Sequence, residues 1–230
     1  MPLPKGLVSP VFWSLSAFGI FMLLALECRA RLHSRPNYAL PEAFLHAQVP
    51  LVLIWAVQIW ALIQWQFFSF SPFDSLMSLP KGFMYAGLYT LTLLMVTSRE
   101  RLKQLVWCVA IAASLQALYG SIMVLSGLEY GFFEQKDYYR GVATGTFVNR
   151  NSLAGYLELS ISLGVGLLLA QPTAYFGSAR QRLRKFIEVL LGKKLVLRVL
   201  LAIMVIALVL TRSRMGNTAF FASLMVAGAL

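Results

Sequence analysis

Apolar residues in this chain are gathered in long runs that short polar segments separate. A helix needs about 20 mostly apolar residues to cross a bilayer, because every backbone polar group must be satisfied within the segment. Six such runs and a shorter seventh lie at residues 7–26, 49–68, 83–96, 104–125, 152–170, 195–210 and 218–230. The pattern predicts an all-α integral membrane protein, a polytopic helix bundle with six full transmembrane helices.

The last run, 218–230, has 13 residues. At the helical rise it covers only about 20 Å, which is too short to cross the hydrocarbon layer. We therefore expect residues 1–230 to form a single polytopic membrane domain that is incomplete at its C-terminus, with a truncated seventh helix.

Composition agrees with a membrane protein. Of the 230 residues, 59% are hydrophobic and 13% are charged, whereas soluble domains average about 45–50% and 25%. The net charge is +11, but the basic residues lie between the apolar runs rather than together on one face, so we expect no nucleic-acid partner. His33 and His46 are isolated from each other and from other metal-ligating residues, so no metal site is expected.

The loops differ in their content of lysine and arginine. The first, third and fifth loops carry more of these residues than the others, and such loops usually face the cytoplasm. The N-terminus and the loop 127–151 are therefore expected on the outer side of the membrane.

A basic segment follows the fifth run. In residues 178–191 leucine, isoleucine and phenylalanine recur with helical spacing, and arginine and lysine occupy the other face. This pattern favours an amphipathic helix in the inner interface of the membrane, with the cations of residues 178–194 binding anionic lipids. A solvated charged loop is the alternative interpretation.

Four arginines are expected on the outer side. Arg140 and Arg150 belong to the loop 127–151, and Arg212 and Arg214 follow the sixth run. Arginine suits phosphate oxygens because its planar fork donates hydrogen bonds in pairs. Together these side chains would form an electropositive site for a diphosphate, although arginines that extend to lipid headgroups are the alternative.

Other polar residues lie near the start of the fifth run. Asn149 and Asn151 fit either a helix N-cap or an anion-binding helix N-terminus. Glu158 lies about 9 Å into the run, where a carboxylate usually faces a cavity or a partner. We expect Glu158 to orient an outer arginine or to hold a substrate hydroxyl, unless it sits in the interfacial zone.

Two strings in this region carry a family resemblance. The string Gly145-Thr146-Phe147-Val148-Asn149-Arg150-Asn151 and its continuation over 153–159 resemble the hallmark of the O-antigen ligase and polymerase family of bacterial inner-membrane proteins. The string Ser213-Arg214-Met215-Gly216 resembles the second recurring element of that family. Family members commonly have histidine after the Asn-x-Asn, where this chain has Ser152.

The resemblance implies a membrane glycosyltransferase that needs no metal, nucleotide sugar or other cofactor. Such an enzyme moves a glycan from undecaprenyl diphosphate to a hydroxyl acceptor on a glycan, a lipid A core or a protein. It implies catalytic roles for Arg212 and Arg214. The substrate-binding residues would be Arg150, Asn149, Asn151, Arg140 and Glu158. The large periplasmic loop of the family would follow residue 230, so we expect this chain to be inactive by itself.

Two other classes of membrane protein fit the same pattern of runs. A flippase for lipid-linked sugars, or another transporter, also places polar residues inside a bundle of many spans. A noncatalytic scaffold for envelope assembly is the third possibility.

Overall fold

The computed structural model describes residues 10–34, 41–131, 134–170 and 193–229. These residues form helices and one antiparallel pair of two-residue strands. In chain order the elements are α1 (Pro10–Ser34), α2 (Glu42–His46), α3 (Gln48–Phe67), α4 (Pro72–Met95), α5 (Arg99–Leu125), β1 (Tyr130–Gly131), β2 (Glu134–Gln135), α6 (Arg150–Leu169), α7 (Lys193–Leu210) and α8 (Arg214–Ala229).

Four of the described helices are long and apolar enough to cross a membrane. They contain the stretches Trp13–Arg31, Gln48–Phe67, Arg99–Leu125 and Arg150–Leu169. The prediction of an all-helical protein is thereby confirmed, and these four runs form candidate membrane-spanning helices. The other three runs are also helical, within α4, α7 and α8, and the predicted interfacial helix over 178–191 lies outside the described residues.

The chain divides into two compact units, residues 1–102 and 103–230. In the first unit α4 packs against both α1 and α3. The indole Nε1 of Trp55 in α3 donates to Thr90 Oγ1 in α4 at 3.1 Å, and the Trp55 ring meets the rings of Phe21 and Phe83 edge to face. Trp55 therefore connects three helices of this unit.

Helix α4 begins well before the run from which it was predicted. It starts at Pro72 rather than near residue 83. Proline is favoured in a first helical turn because it has no N–H to leave unpaired there, and the Ser71 hydroxyl donates to the Asp74 carboxylate at 2.6 Å. Polar residues in the first turns hid this start from the hydrophobic pattern.

The second unit contains α5 from Lys103 onward and the helices α6, α7 and α8. Helix α6 packs against α7 and α8. Many of the buried positions are small, which lets helix backbones approach closely in a membrane. Buried core residues of this unit include Ala110, Ala113, Ala117, Ala154, Leu157 and Met204.

One end of the second unit is covered by residues 126–149. This loop end, as we call it, consists of that loop with the last turns of α5 and α7 and the first turns of α6 and α8. The Ala143 N–H donates to the Leu210 carbonyl at 2.9 Å. A β-carbon on Gly120 would lie only 2.9 Å from the Gly145 nitrogen, so glycine at 120 permits close approach of the loop. The loop is thus fixed on the bundle at two points.

Candidate functional site

A hydrogen bond joins the two strings that carry the family resemblance. The Ser213 hydroxyl donates to Asn151 Oδ1 at 2.9 Å across a separation of 62 residues. Arg150 is the neighbour of Asn151 in the chain, and Arg212 and Arg214 flank Ser213. The fold therefore brings the backbones of three predicted arginines to one place at the loop end.

The same two strings also contain the N-caps of α6 and α8. Asn149 caps α6, because its side-chain oxygen accepts from the Asn151 N–H at 2.8 Å. Ser213 caps α8, because its hydroxyl oxygen accepts from the Gly216 N–H at 3.2 Å. Helix N-termini carry partial positive charge, so two of them side by side add to the field of the arginines.

Gly216 lets the first turns of these helices touch. A β-carbon at Gly216 would lie 2.8 Å from the Ala154 β-carbon and 2.8 Å from Glu158 Oε1. The pairs Asn151–Ser213 and Ala154–Gly216 advance together along both helices, so α6 and α8 run in the same direction here. The Ser213–Asn151 hydrogen bond therefore requires a glycine at position 216, because a side chain there would push α6 and α8 apart.

Arg212 and Arg214 extend from a tight turn. Thr211 and Ser213 are buried, whereas Arg212 between them is exposed with φ +50°. A left-handed backbone is unfavourable for a residue with a β-carbon. Within the described residues the guanidinium groups of Arg212 and Arg214 form no hydrogen bond or ion pair, and both remain available to an anion.

Arg150 is held by a different contact. Its guanidinium carbon lies 5.7 Å from the centre of the Tyr139 ring, within the range of a cation–π interaction. Its Nε atom is buried and has no acceptor in the structure. Buried N–H groups without acceptors are rare in folded proteins, so Arg150 Nε is an exception among the described residues.

The loop before Arg150 is fastened by an ion pair between the buried Lys136 and the part-buried Glu129. Lys136 Nζ lies 3.2 Å from Glu129 Oε2 and donates to the Val142 carbonyl at 3.1 Å. The other carboxylate oxygen of Glu129 accepts from the Gly141 N–H at 2.7 Å. Arg140 completes this clamp, because its Nε donates to the Lys136 carbonyl at 2.8 Å.

Glu158 does not pair with an arginine in the part of the chain that the structure describes. Its Oε1 atom is buried beside Gly216 and has no hydrogen-bond partner. From the start of α6 at Arg150, the residue lies about 12 Å along the helix. The expectation that Glu158 orients an outer arginine therefore lacks a contact to support it, and the expected role of holding a substrate hydroxyl stays a prediction.

Sequence reasoning missed Tyr139 and the clamp of Glu129 and Lys136. Both Glu129 and Tyr139 have positive φ, +53° and +58°, and neither residue type indicates such a backbone conformation. The unusual length of the loop was the available signal, because long ordered loops are often functional. No cluster of three or more histidine, cysteine or acidic residues suited to a metal ion occurs among the described residues.

Comparison of the chain with protein-family models, with curated proteins and with solved structures gives no significant match.

Proposed function

We propose that this chain functions in a bacterial inner membrane as a glycosyltransferase of the O-antigen ligase and polymerase type. In this proposal the chain crosses the membrane with at least six helices, and its N-terminus and loop 127–151 face the periplasm. The loop end binds undecaprenyl diphosphate that carries a glycan, and the acceptor is a hydroxyl on a glycan, a lipid A core or a protein.

The observation that supports this function best is the hydrogen bond between Asn151 and Ser213. It joins the two strings that only the family resemblance had connected. It also brings the backbones of Arg150, Arg212 and Arg214 close to two neighbouring helix N-termini. Transfer of the glycan leaves a diphosphate as the departing group, and its growing negative charge must be stabilised. Guanidinium groups beside helix N-termini supply that stabilisation without a metal ion.

The direct test is binding of undecaprenyl diphosphate to the chain in phosphatidylcholine nanodiscs. Loss of one charged hydrogen-bonding partner costs about 1.5–3 kcal/mol, which corresponds to roughly ten- to a hundredfold in affinity. We expect this weakening for Arg212→Ala and for Arg214→Ala. Arg198→Ala is the matched control, because Arg198 is an exposed arginine near the first turns of α7, away from the loop end.

Two results would contradict the proposal. Equal affinity for the wild type and for both variants removes these arginines from the site. An alkaline phosphatase fusion after Arg150 that stays inactive in bacterial cells places the loop end in the cytoplasm, where a periplasmic transferase cannot use it.

A further inference from the structure

The Arg150 guanidinium lies over the ring of Tyr139. The guanidinium carbon is 5.7 Å from the ring centre. An aromatic ring attracts a cation through its negative face, and this attraction needs no hydrogen bond. The contact therefore restricts the position of Arg150 without occupying its donors.

One hydrogen-bond donor of the Arg150 side chain is buried and unpaired. The Nε atom of Arg150 has no acceptor and negligible contact with solvent. In arginine the Nε–H lies beside an Nη–H, and the two donate in parallel to the oxygens of a carboxylate or phosphate. By contrast, Arg140 has its Nε occupied by the Lys136 carbonyl. The Nε–H of Arg150, unlike that of Arg140, is thus not used as a donor among the described residues.

The backbone around Tyr139 is fixed although it is strained. Tyr139 has φ +58°, which is unfavourable for a residue with a β-carbon. The clamp fastens the two residues that follow Tyr139: Arg140 is bonded to Lys136, and Gly141 is bonded to Glu129. These bonds hold the chain beside the ring and offset the strain at Tyr139.

We infer that Tyr139 is a positioning residue for Arg150 and holds its guanidinium where a phosphate group of the lipid carrier binds. This inference rests on the function proposed above and adds to it a residue that acts through another side chain. Tyr139 itself contacts no phosphate oxygen in this account. Its contribution is to hold the guanidinium in place before the ligand arrives, which lowers the entropic cost of binding.

The test uses undecaprenyl diphosphate and the whole chain in phosphatidylcholine nanodiscs. Tyr139→Asn removes the ring, yet asparagine tolerates the left-handed backbone, so the loop keeps its conformation. We expect affinity to fall roughly three- to tenfold, the range that a cation–π contact provides. Tyr139→Phe keeps the ring and should bind as the wild type does. The adjacent Tyr138, 77% exposed, gives the control Tyr138→Asn, which should also bind normally.

A double-mutant cycle separates positioning from a general structural effect. If Tyr139 acts through Arg150, Tyr139→Asn has no further effect on binding in an Arg150→Ala background. Additive losses would overturn the inference. So would unchanged affinity of Tyr139→Asn while Arg150→Ala binds more weakly, and that outcome leaves the proposed function standing.

Two further outcomes concern the ligand. If the wild type does not bind undecaprenyl diphosphate, both the proposed function and this inference fail. A lipid headgroup could supply the same phosphate chemistry. If phosphatidylglycerol in the nanodisc displaces the carrier from the wild type at equal mole fraction, the edge of Arg150 is a headgroup site and the assignment to the carrier is overturned.

Discussion

Substitution of Gly216 by alanine tests the contact on which the candidate site depends. The new β-carbon would lie 2.8 Å from the β-carbon of Ala154, whereas carbon atoms in favourable contact are about 3.5–4.0 Å apart. Both carbons are attached directly to helix backbones and cannot rotate away. The helices α6 and α8 must therefore separate by roughly 1 Å at this point.

The expected change in the stability of Gly216→Ala is the sum of two opposing effects. Overpacking of a closely packed contact costs about 1–3 kcal/mol, and the better helix propensity of alanine returns at most about 1 kcal/mol. We expect a net loss of stability of about 1–2 kcal/mol. A separation of this size also lengthens the Ser213–Asn151 bond from 2.9 Å beyond the range of a hydrogen bond, about 3.2 Å.

The assay is unfolding of the purified protein by titration of dodecyl sulfate into mild detergent, followed by circular dichroism. Gly155→Ala is the matched control, because no atom lies within 4 Å of the position of its β-carbon, and it should leave stability unchanged or raise it. Ala154→Gly combined with Gly216→Ala should regain part of the loss. Wild-type stability of Gly216→Ala, or a double variant that shows the sum of two losses, would refute this account of the helix contact.

Three further predictions concern other parts of the chain. Lys136→Met removes the cation from the part-buried Glu129 carboxylate, which keeps the Gly141 N–H, so stability should fall by about 1–3 kcal/mol. Limited proteolysis should then cut within residues 127–149, and an uncut loop would contradict the clamp. Arg212→Gly relieves an unfavourable φ of +50° and should stabilise the protein by about 1 kcal/mol while it weakens diphosphate binding, and a loss of stability would show that the turn is not strained. Trp55→Phe removes the donor to Thr90 and should cost about 0.6 kcal/mol in detergent unfolding, whereas a loss above 2 kcal/mol would mean that ring packing dominates.

The hydrophobic pattern predicted the positions of the helices well because lipid contact requires long apolar segments. It was less accurate where a helix begins with polar residues. Helix α4 starts at Pro72, and α8 starts at Arg214 rather than near residue 218. Local hydrogen bonds and the first-turn preference for proline set these starts, and hydrophobicity carries no information on either.

The sequence named candidate residues such as Arg150, Arg212 and Arg214 but not the geometry that relates them. The residue types of Asn149 and Ser213 suit N-caps, and the structure shows both caps. The bond between Asn151 and Ser213 depends on the parallel packing of α6 and α8, which the sequence of either helix alone does not determine. Tyr139 was missed because its role arises from a positive φ and from a clamp formed by residues distant in sequence.

The central claim is that the loop end binds the diphosphate of a lipid carrier, and photocrosslinking tests it most directly. A photoreactive undecaprenyl diphosphate analogue, with its reactive group next to the phosphates, is activated on the chain in nanodiscs, and the modified peptides are identified by mass spectrometry. The account predicts adducts in residues 139–151 and 211–217, reduced by Arg150→Ala and by excess undecaprenyl diphosphate. Adducts confined to α1, α3 or the first turns of α7 would contradict it.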